Sequence, residues 1–221
     1  MNRRTLMAGL AAVSGRGAPG AGAPAALKLP EPRRSGRCSL EEALSQRRSV
    51  REYAGSPATL AEVAQLLWAA QGITAPEGRR SAPSAGALYP LEIYVVSGQV
   101  EGLAPGVYKY LPAAHALRQV AEGDRRRDLA PAALEQSCVR EAPLVLVLAG
   151  VYARTSVKYG SRAPRYVHME AGHAAQNVCL QATALALGSV PVGAFEDARV
   201  RRVAGLEEGE EPLYLLPVGR R

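Results

Sequence analysis

The chain has 221 residues, 48% of them hydrophobic and 21% charged, which supports one domain with its own core and excludes an intrinsically disordered protein. Its net charge is +7, yet residues 1–26 hold Arg3, Arg4 and Arg16 and no acid, so the rest carries 24 basic against 20 acidic residues. That surplus, with no Lys/Arg stripe interleaved with aromatics, excludes an obvious nucleic-acid binder and suits anionic small molecules.

Arg3-Arg4, the apolar run Leu6 to Val13 and small residues to Ala26 look like a twin-arginine export signal. The run is too short to span a bilayer, so no stable membrane insertion is expected. Residues 1–26 therefore read as a leader directing the protein to the periplasm, the alternative being a disordered tail on a cytoplasmic protein. Residues 27–39 read as an extended Pro/Arg-rich arm and 40–221 as the folded domain.

Ser39 with Glu42 predicts a capping box opening a short helix through Gln46. Thr59 with Glu62 predicts a second one, opening an amphipathic helix from Leu60 to Gln71 with Gly72 as its stop. Trp68 on that helix reads as a core residue. Ala75 to Ala87 is a loop, Leu91 to Val96 a strand, and Gly106 to Leu111 with Ala116 to Val120 a hairpin. Gly123 to Gln136 reads as a surface helix, and the continuous apolar run Leu144 to Ala149 as a central strand. Pro164 opens the longest helix, Arg165 to Leu187, ended by Gly188. A Val/Pro/Gly loop runs to Phe195, then a basic helix from Asp197 to Ala204 and a last strand from Pro212 to Val218. Mixed elements around an antiparallel hairpin give an α+β fold.

Four segments carry chemistry. Arg47-Arg48-Ser49-Val50-Arg51 puts three guanidiniums and a hydroxyl within five residues, and guanidinium forks match phosphate oxygens two at a time. The loop from Ser81 to Pro90, with Pro83, Ser84 and Ala85 at its centre, lets backbone approach a flat ligand. Pro191-Val192-Gly193 has the same character, and Gly219-Arg220 sets a guanidinium immediately after the last strand. His168 and His173 are roughly 140° apart around a helix, and Glu170 with His173 is at most half of a di-metal pattern, so no metal site is expected. Cys38, Cys138 and Cys179 have no metal-like spacing, and their odd number argues against a disulfide framework.

Arg-Arg-Ser-Val-Arg, Pro-Ser-Ala-Gly-Ala-Leu-Tyr-Pro, Lys-Tyr-Gly-Ser-Arg, Glu-Ala-Gly-His-Ala-Ala-Gln-Asn and Val-Pro-Val-Gly-Ala-Phe, in this order, resemble the nitroreductase-like flavoproteins and, within them, the SagB-type dehydrogenase branch. The likeness runs from about Leu40 to Arg220. It implies a central antiparallel sheet flanked by helices, and an intertwined homodimer with FMN at the subunit interface. Arg47, Arg48, Ser49 and Arg51 would hold the FMN phosphate, ribityl chain and pyrimidine edge. Pro83, Ser84 and Ala85 would meet the isoalloxazine from the partner subunit. Pro191, Val192 and Gly193 would lie along the ring, with Gly219 and Arg220 closing on the phosphate. Lys158 and Tyr159 match the Lys-Tyr pair thought to assist proton removal in peptide-azoline oxidases of this branch, where a desolvated lysine would act as base. Glu170, His173 and Asn177 would be structural polar residues of a buried helix.

The reading is an FMN-dependent oxidoreductase passing hydride between NAD(P)H and an electron-poor acceptor such as a nitroaromatic or quinone. The alternatives are oxidation of peptide azolines with a cyclodehydratase partner, and a flavin carrier or redox sensor without turnover. Flavin chemistry asks little of side chains, since the cofactor itself stores the hydride.

Overall fold

The computed structural model describes residues 26–221, so the export-signal reading falls, but for Ala26, outside the described residues. The arm does more than extend. Its Leu27–Lys28 forms strand β1, and Arg33 is stapled to the buried Gln65 by paired backbone–amide hydrogen bonds of 2.8 and 3.0 Å.

Helix α1, Leu40–Gln46, is capped by only half of the expected box. Ser39 Oγ accepts from the Glu42 N–H at 3.1 Å, but the Glu42 carboxylate accepts from Gln46 Nε2 instead of returning to the cap. Strand β2, Ala58–Thr59, leads into α2, Leu60–Gln71, whose box is complete: Glu62 Oε2 accepts from the Thr59 N–H at 2.8 Å. Trp68 is only partly buried, and its indole packs on Gly72.

Strands β3 (Leu91–Ser97), β4 (Val100–Glu101), β5 (Gly106–Leu111) and β6 (Ala116–Glu122) follow. Within the expected surface helix only the short α3 (Arg126–Ala132) forms, with one face buried, and a second short helix, α4 (Ser137–Glu141), follows beyond the expected end. Leu134 and Glu135 adopt φ of +56° and +59°, which no helix admits, and Leu129, Ala130 and Ala132 are wholly buried. Strand β7 is Leu144–Gly150, and α5 spans Tyr152–Tyr159, a helix that no sequence signal announced. Helix α6 runs Ala163–Ala184 and stops three residues short of the predicted end. Leu187–Ser189 is a strand, β8, in which Gly188 faces Gly219; Gly188 is therefore no helix stop but a close-approach point, where a Cβ would sit 2.6 Å from Val50. Helix α7 is Asp197–Ala204, and β9, Glu211–Arg220, is long enough to contain Gly219 and Arg220 rather than precede them.

Seven strands form one sheet in the order β1-β6-β5-β3-β7-β9-β8, each neighbouring pair antiparallel. Because side chains alternate across a strand, β7 feeds two cores. Leu144, Leu146 and Leu148 join α2 and α6 on one face, while Val145 and Val147 join α3, α4 and α7 on the other. All seven residues of β7 are buried, as a strand covered on both faces requires. Among the described residues no helix is long and apolar enough to cross a membrane.

Candidate active site

The site residues fall into two groups, set along α6. The first lies on the β8–β9 edge. Ser49 forms a parallel bridge to Ser189, and the Val50 N–H donates to Ser189 O at 3.0 Å, so the arginine run is strapped beside β8. Tyr53 fixes the far end of the strap: its ring packs on Gly219 and its hydroxyl donates to Val50 O and Pro217 O. Arg47 is half-buried, Arg48, Ser49 and Arg51 are exposed, and among the described residues none of these three arginines has a carboxylate within 4 Å. Arg48 spends Nη1 on the carbonyls of Ser45 and Arg47, at 2.8 Å each. Arg220 is committed to Glu62, 2.9 Å away, the same carboxylate that caps α2. Among the described residues, Arg47 and Arg51 are thus the guanidiniums of this edge with no side-chain or carbonyl partner of their own.

On the same edge the Val192 N–H donates to Leu215 O at 2.8 Å and the Leu215 N–H returns to Val192 O at 2.9 Å. Val192 is buried by this pairing, which leaves Pro191 and Gly193 exposed. Strand β9 is the ruler. Ser189 pairs with Val218 and Val192 with Leu215, so the arginine strap and the Pro191–Gly193 loop stand about 10 Å apart along it.

The second group gathers at the start of α6. Pro83 is exposed and Ser84 and Ala85 partly so, in a turn closed by backbone hydrogen bonds from Ala87 to Ser84 and Leu88 to Ala85 and by two side-chain ones. Ser84 Oγ accepts from the Tyr89 N–H, and the Ala85 N–H donates to Glu170 Oε1, both at 2.8 Å. Gly86 adopts φ of +62°, and a Cβ there would lie 3.0 Å from the Tyr159 hydroxyl and 3.1 Å from Lys158 Nζ. The Lys-Tyr pair therefore covers the turn that carries Pro83, Ser84 and Ala85. Lys158 is exposed in the single chain, so the burial expected of a lysine base is absent there.

Sequence reasoning did not single out Arg154 and Tyr152, and it weighed Glu170 and His168 only for a metal or, for Glu170, as a structural polar residue of a buried helix. Glu170 is 4% exposed; burial pushes its carboxyl above the usual range, while the Ala85 N–H and the Ser84 hydroxyl pull it back. Arg154, one turn before Lys158, donates to Tyr89 O at 3.1 Å and pairs with Glu92 at 2.5 Å, bracing α5 against the far end of the same loop. Tyr152 and His168 share a 2.6 Å hydrogen bond in a cavity of about 600 Å³ beside Gly193. The Arg154 brace and the Tyr152–His168 pair depend on where α5 lies against α6. Glu170 touches the second group, while Cys179, nine residues along α6, sits near Ser189 and Arg47 of the first, about 14 Å away.

An antiparallel sheet with helices on both faces defines an α+β protein, with a guanidinium strap at one sheet edge and small-residue loops aligned along it. The chain belongs to the nitroreductase family, whose model matches residues 44–220, and it is an oxidoreductase. The Methanocaldococcus jannaschii protein named "Putative nitroreductase MJ1384" is 50% identical over 182 residues, 82% of this chain and 91% of that one. A solved structure from Ralstonia eutropha with a nitroreductase name superposes with a TM-score of 0.76 at 28% identity, covering 88% of this chain and 89% of that one. In Escherichia coli, the microcin B17-processing protein McbC is 31% identical over 137 residues, 59% of this chain and half the length of McbC. The E. coli microcin synthetase McbBCD complex with truncated pro-MccB17 bound contains a neighbour at TM-score 0.67 and 26% identity, covering 81% of this chain and 72% of that one. The nitroreductase likeness read from the five motifs is thereby confirmed.

Proposed function

We propose that the chain is an FMN-dependent oxidoreductase that takes hydride equivalents from NAD(P)H and delivers them to an electron-poor acceptor, working as a homodimer. The observation that carries this is the β9 edge, where two unpaired arginines and the Ser49 hydroxyl stand one ribityl-like span from the exposed Pro191–Gly193 loop. That donor set fits a dianionic phosphate joined to a flat ring. Arg47, Arg51 and Ser49 would hold the phosphate end, with Arg48 and Arg220 beside them. Pro191, Val192 and Gly193 would border the ring, and Gly219 keeps the strap close to β9. FMN, when bound, supplies hydride storage; the protein's residues supply binding, orientation and exclusion of water. The two groups along α6 support a site completed across a dimer, with Pro83, Ser84 and Ala85 reaching the partner's ring. A visible spectrum of the purified full chain, with mass identification of heat-released cofactor, tests this. About one FMN per chain in a particle of twice the chain mass is expected; colourless protein that cannot be reconstituted would overturn it.

A second reading, oxidation of azolines in a peptide, is favoured by Lys158 and Tyr159 lying over Gly86 and by the likeness to McbC. On that reading Lys158→Ala is expected to lose azoline oxidation by about a hundredfold, the range of one positioned proton-transfer group, while keeping its flavin. Equal loss of NAD(P)H–quinone turnover in the same variant would argue against it.

A further inference from the structure

Past the Pro191–Gly193 loop, β9 continues to its first residues, and these wall the cavity of about 600 Å³ that also touches Gly193. Its remaining walls are Phe195, Asp197, Ala171 and the hydrogen-bonded pair Tyr152 and His168. The rings meet edge to face, 5.7 Å between centroids and 84° apart, so the pair is held in one arrangement. Tyr152 opens α5, His168 stands in the second turn of α6, and Tyr214 lies 3.8 Å from where a Gly193 Cβ would be. The other charged groups facing the cavity are Asp197 at the start of α7 and Glu211, which Arg201 already pairs. The place is thus aromatic on two sides, open at one end of the proposed ring site, and equipped with a phenol fixed by an exposed imidazole.

We propose that this cavity takes a quinone-type aromatic carbonyl as acceptor, and that Tyr152, backed by His168, is the group that protonates its oxygen. The proposal rests on the function given above. A quinone that accepts a hydride becomes the hydroquinone monoanion and needs one proton to become the hydroquinone. The hydride is the one drawn from NAD(P)H. The proton comes from Tyr152: its O–H bond breaks as the new O–H bond on the acceptor forms. The phenolate recovers a proton from Nε2–H of His168 as the other ring nitrogen takes one from water, which reaches it because that side chain is exposed. Phe195 and Tyr214 would flank the flat acceptor, and the carboxylates of Asp197 and Glu211 leave no welcome for an anionic one.

The test uses the full chain loaded with FMN and compares two acceptors, a naphthoquinone and ferricyanide, which takes electrons without a proton. In Tyr152→Phe the quinone rate is expected to fall about a hundredfold, the scale of one general acid, while ferricyanide keeps most of its rate; His168→Gln should show the same split, less steeply. A second readout needs no turnover: 1,4-dihydroxynaphthalene added to the protein should shift the His168 imidazole NMR signals, and the shift should vanish in Tyr152→Phe. Equal loss with both acceptors, no loss with either, or an unmoved His168 signal would overturn the proposal. Wild-type chain that holds no flavin would instead sink the function itself, and the His168 signal of that flavin-free chain still decides whether the cavity binds an aromatic diol.

Discussion

Replacing Arg47 and Arg51 together by alanine is expected to strip FMN from the protein while leaving it folded. Both guanidiniums lie on a strap fixed by backbone contacts, Ser49 to Ser189 and Val50 to Ser189, so their removal does not loosen the fold around them. Neither has a carboxylate within reach among the described residues. A hydrogen bond to a charged group contributes about 1.5–3 kcal/mol, so losing two should raise the FMN dissociation constant at least about a hundredfold. The ratio of visible to near-ultraviolet absorbance after gel filtration, followed by titration of FMN into the stripped protein, measures it. Arg48→Ala should cost less, because Arg48 Nη1 is already spent on Ser45 O and Arg47 O. A double variant that keeps stoichiometric FMN through gel filtration would show that the phosphate lies elsewhere.

That prediction draws on residues legible without a structure, and the reason is physical. A run such as Arg47 to Arg51 cannot be buried, so its charge announces a surface with a purpose. Thr59 with Glu62 and the alternating faces of Leu144 to Leu148 are equally local, and both elements form where the sequence places them. Local signals fail where a distant partner decides. Leu187-Gly188-Ser189 continues the apolar run of α6, but Ala186 turns to φ of +58° and the next three residues pair with Val218, Gly219 and Arg220. Helix α5 escapes notice because Thr155, Ser156 and Val157 are weak helix formers and its stability comes from packing on α6. With α5 unplaced, the approach of Lys158 and Tyr159 to Gly86, the Arg154 brace and the Tyr152–His168 pair could not be read. The engagement of Arg220 by Glu62 joins residues 158 apart in sequence, and no spacing rule reaches that far.

The same limit hides a lysine inside the fold. Lys109 on β5 is 6% exposed, with Glu210 at 2.6 Å, Glu207 at 2.8 Å and Glu92 at 3.6 Å. Tyr94 donates to the other oxygen of Glu210 at 2.6 Å, Arg118 joins Glu207, and Arg154 carries the network from Glu92 to α5. Lys109→Met is expected to destabilise the protein by about 3–5 kcal/mol, since it leaves the buried Glu210 without its cation while Glu92 keeps Arg154. Urea unfolding should show the midpoint falling by about 1–2 M. The pH dependence has a definite sign at each end. Burial alone would lower the ammonium pKa, but hydrogen bonds to Glu207 and Glu210 outweigh it, so the folded value lies above the unfolded one. Stability from Lys109 is then complete below about pH 10.4 and is lost as pH rises through the folded value. The Glu207 carboxyl is held low, by Lys109 first and also by Arg118, so its share is present above about pH 4.3 and is lost as pH falls through the folded value. The gap between wild type and variant should be flat from about pH 5 to 10 and close toward both extremes. A variant that unfolds at the wild-type midpoint at pH 7 would mean that water reaches these carboxylates. In that event the Arg154–Glu92 pair would be a solvated one, and its contribution to holding α5 on the Ser84–Tyr89 loop correspondingly small.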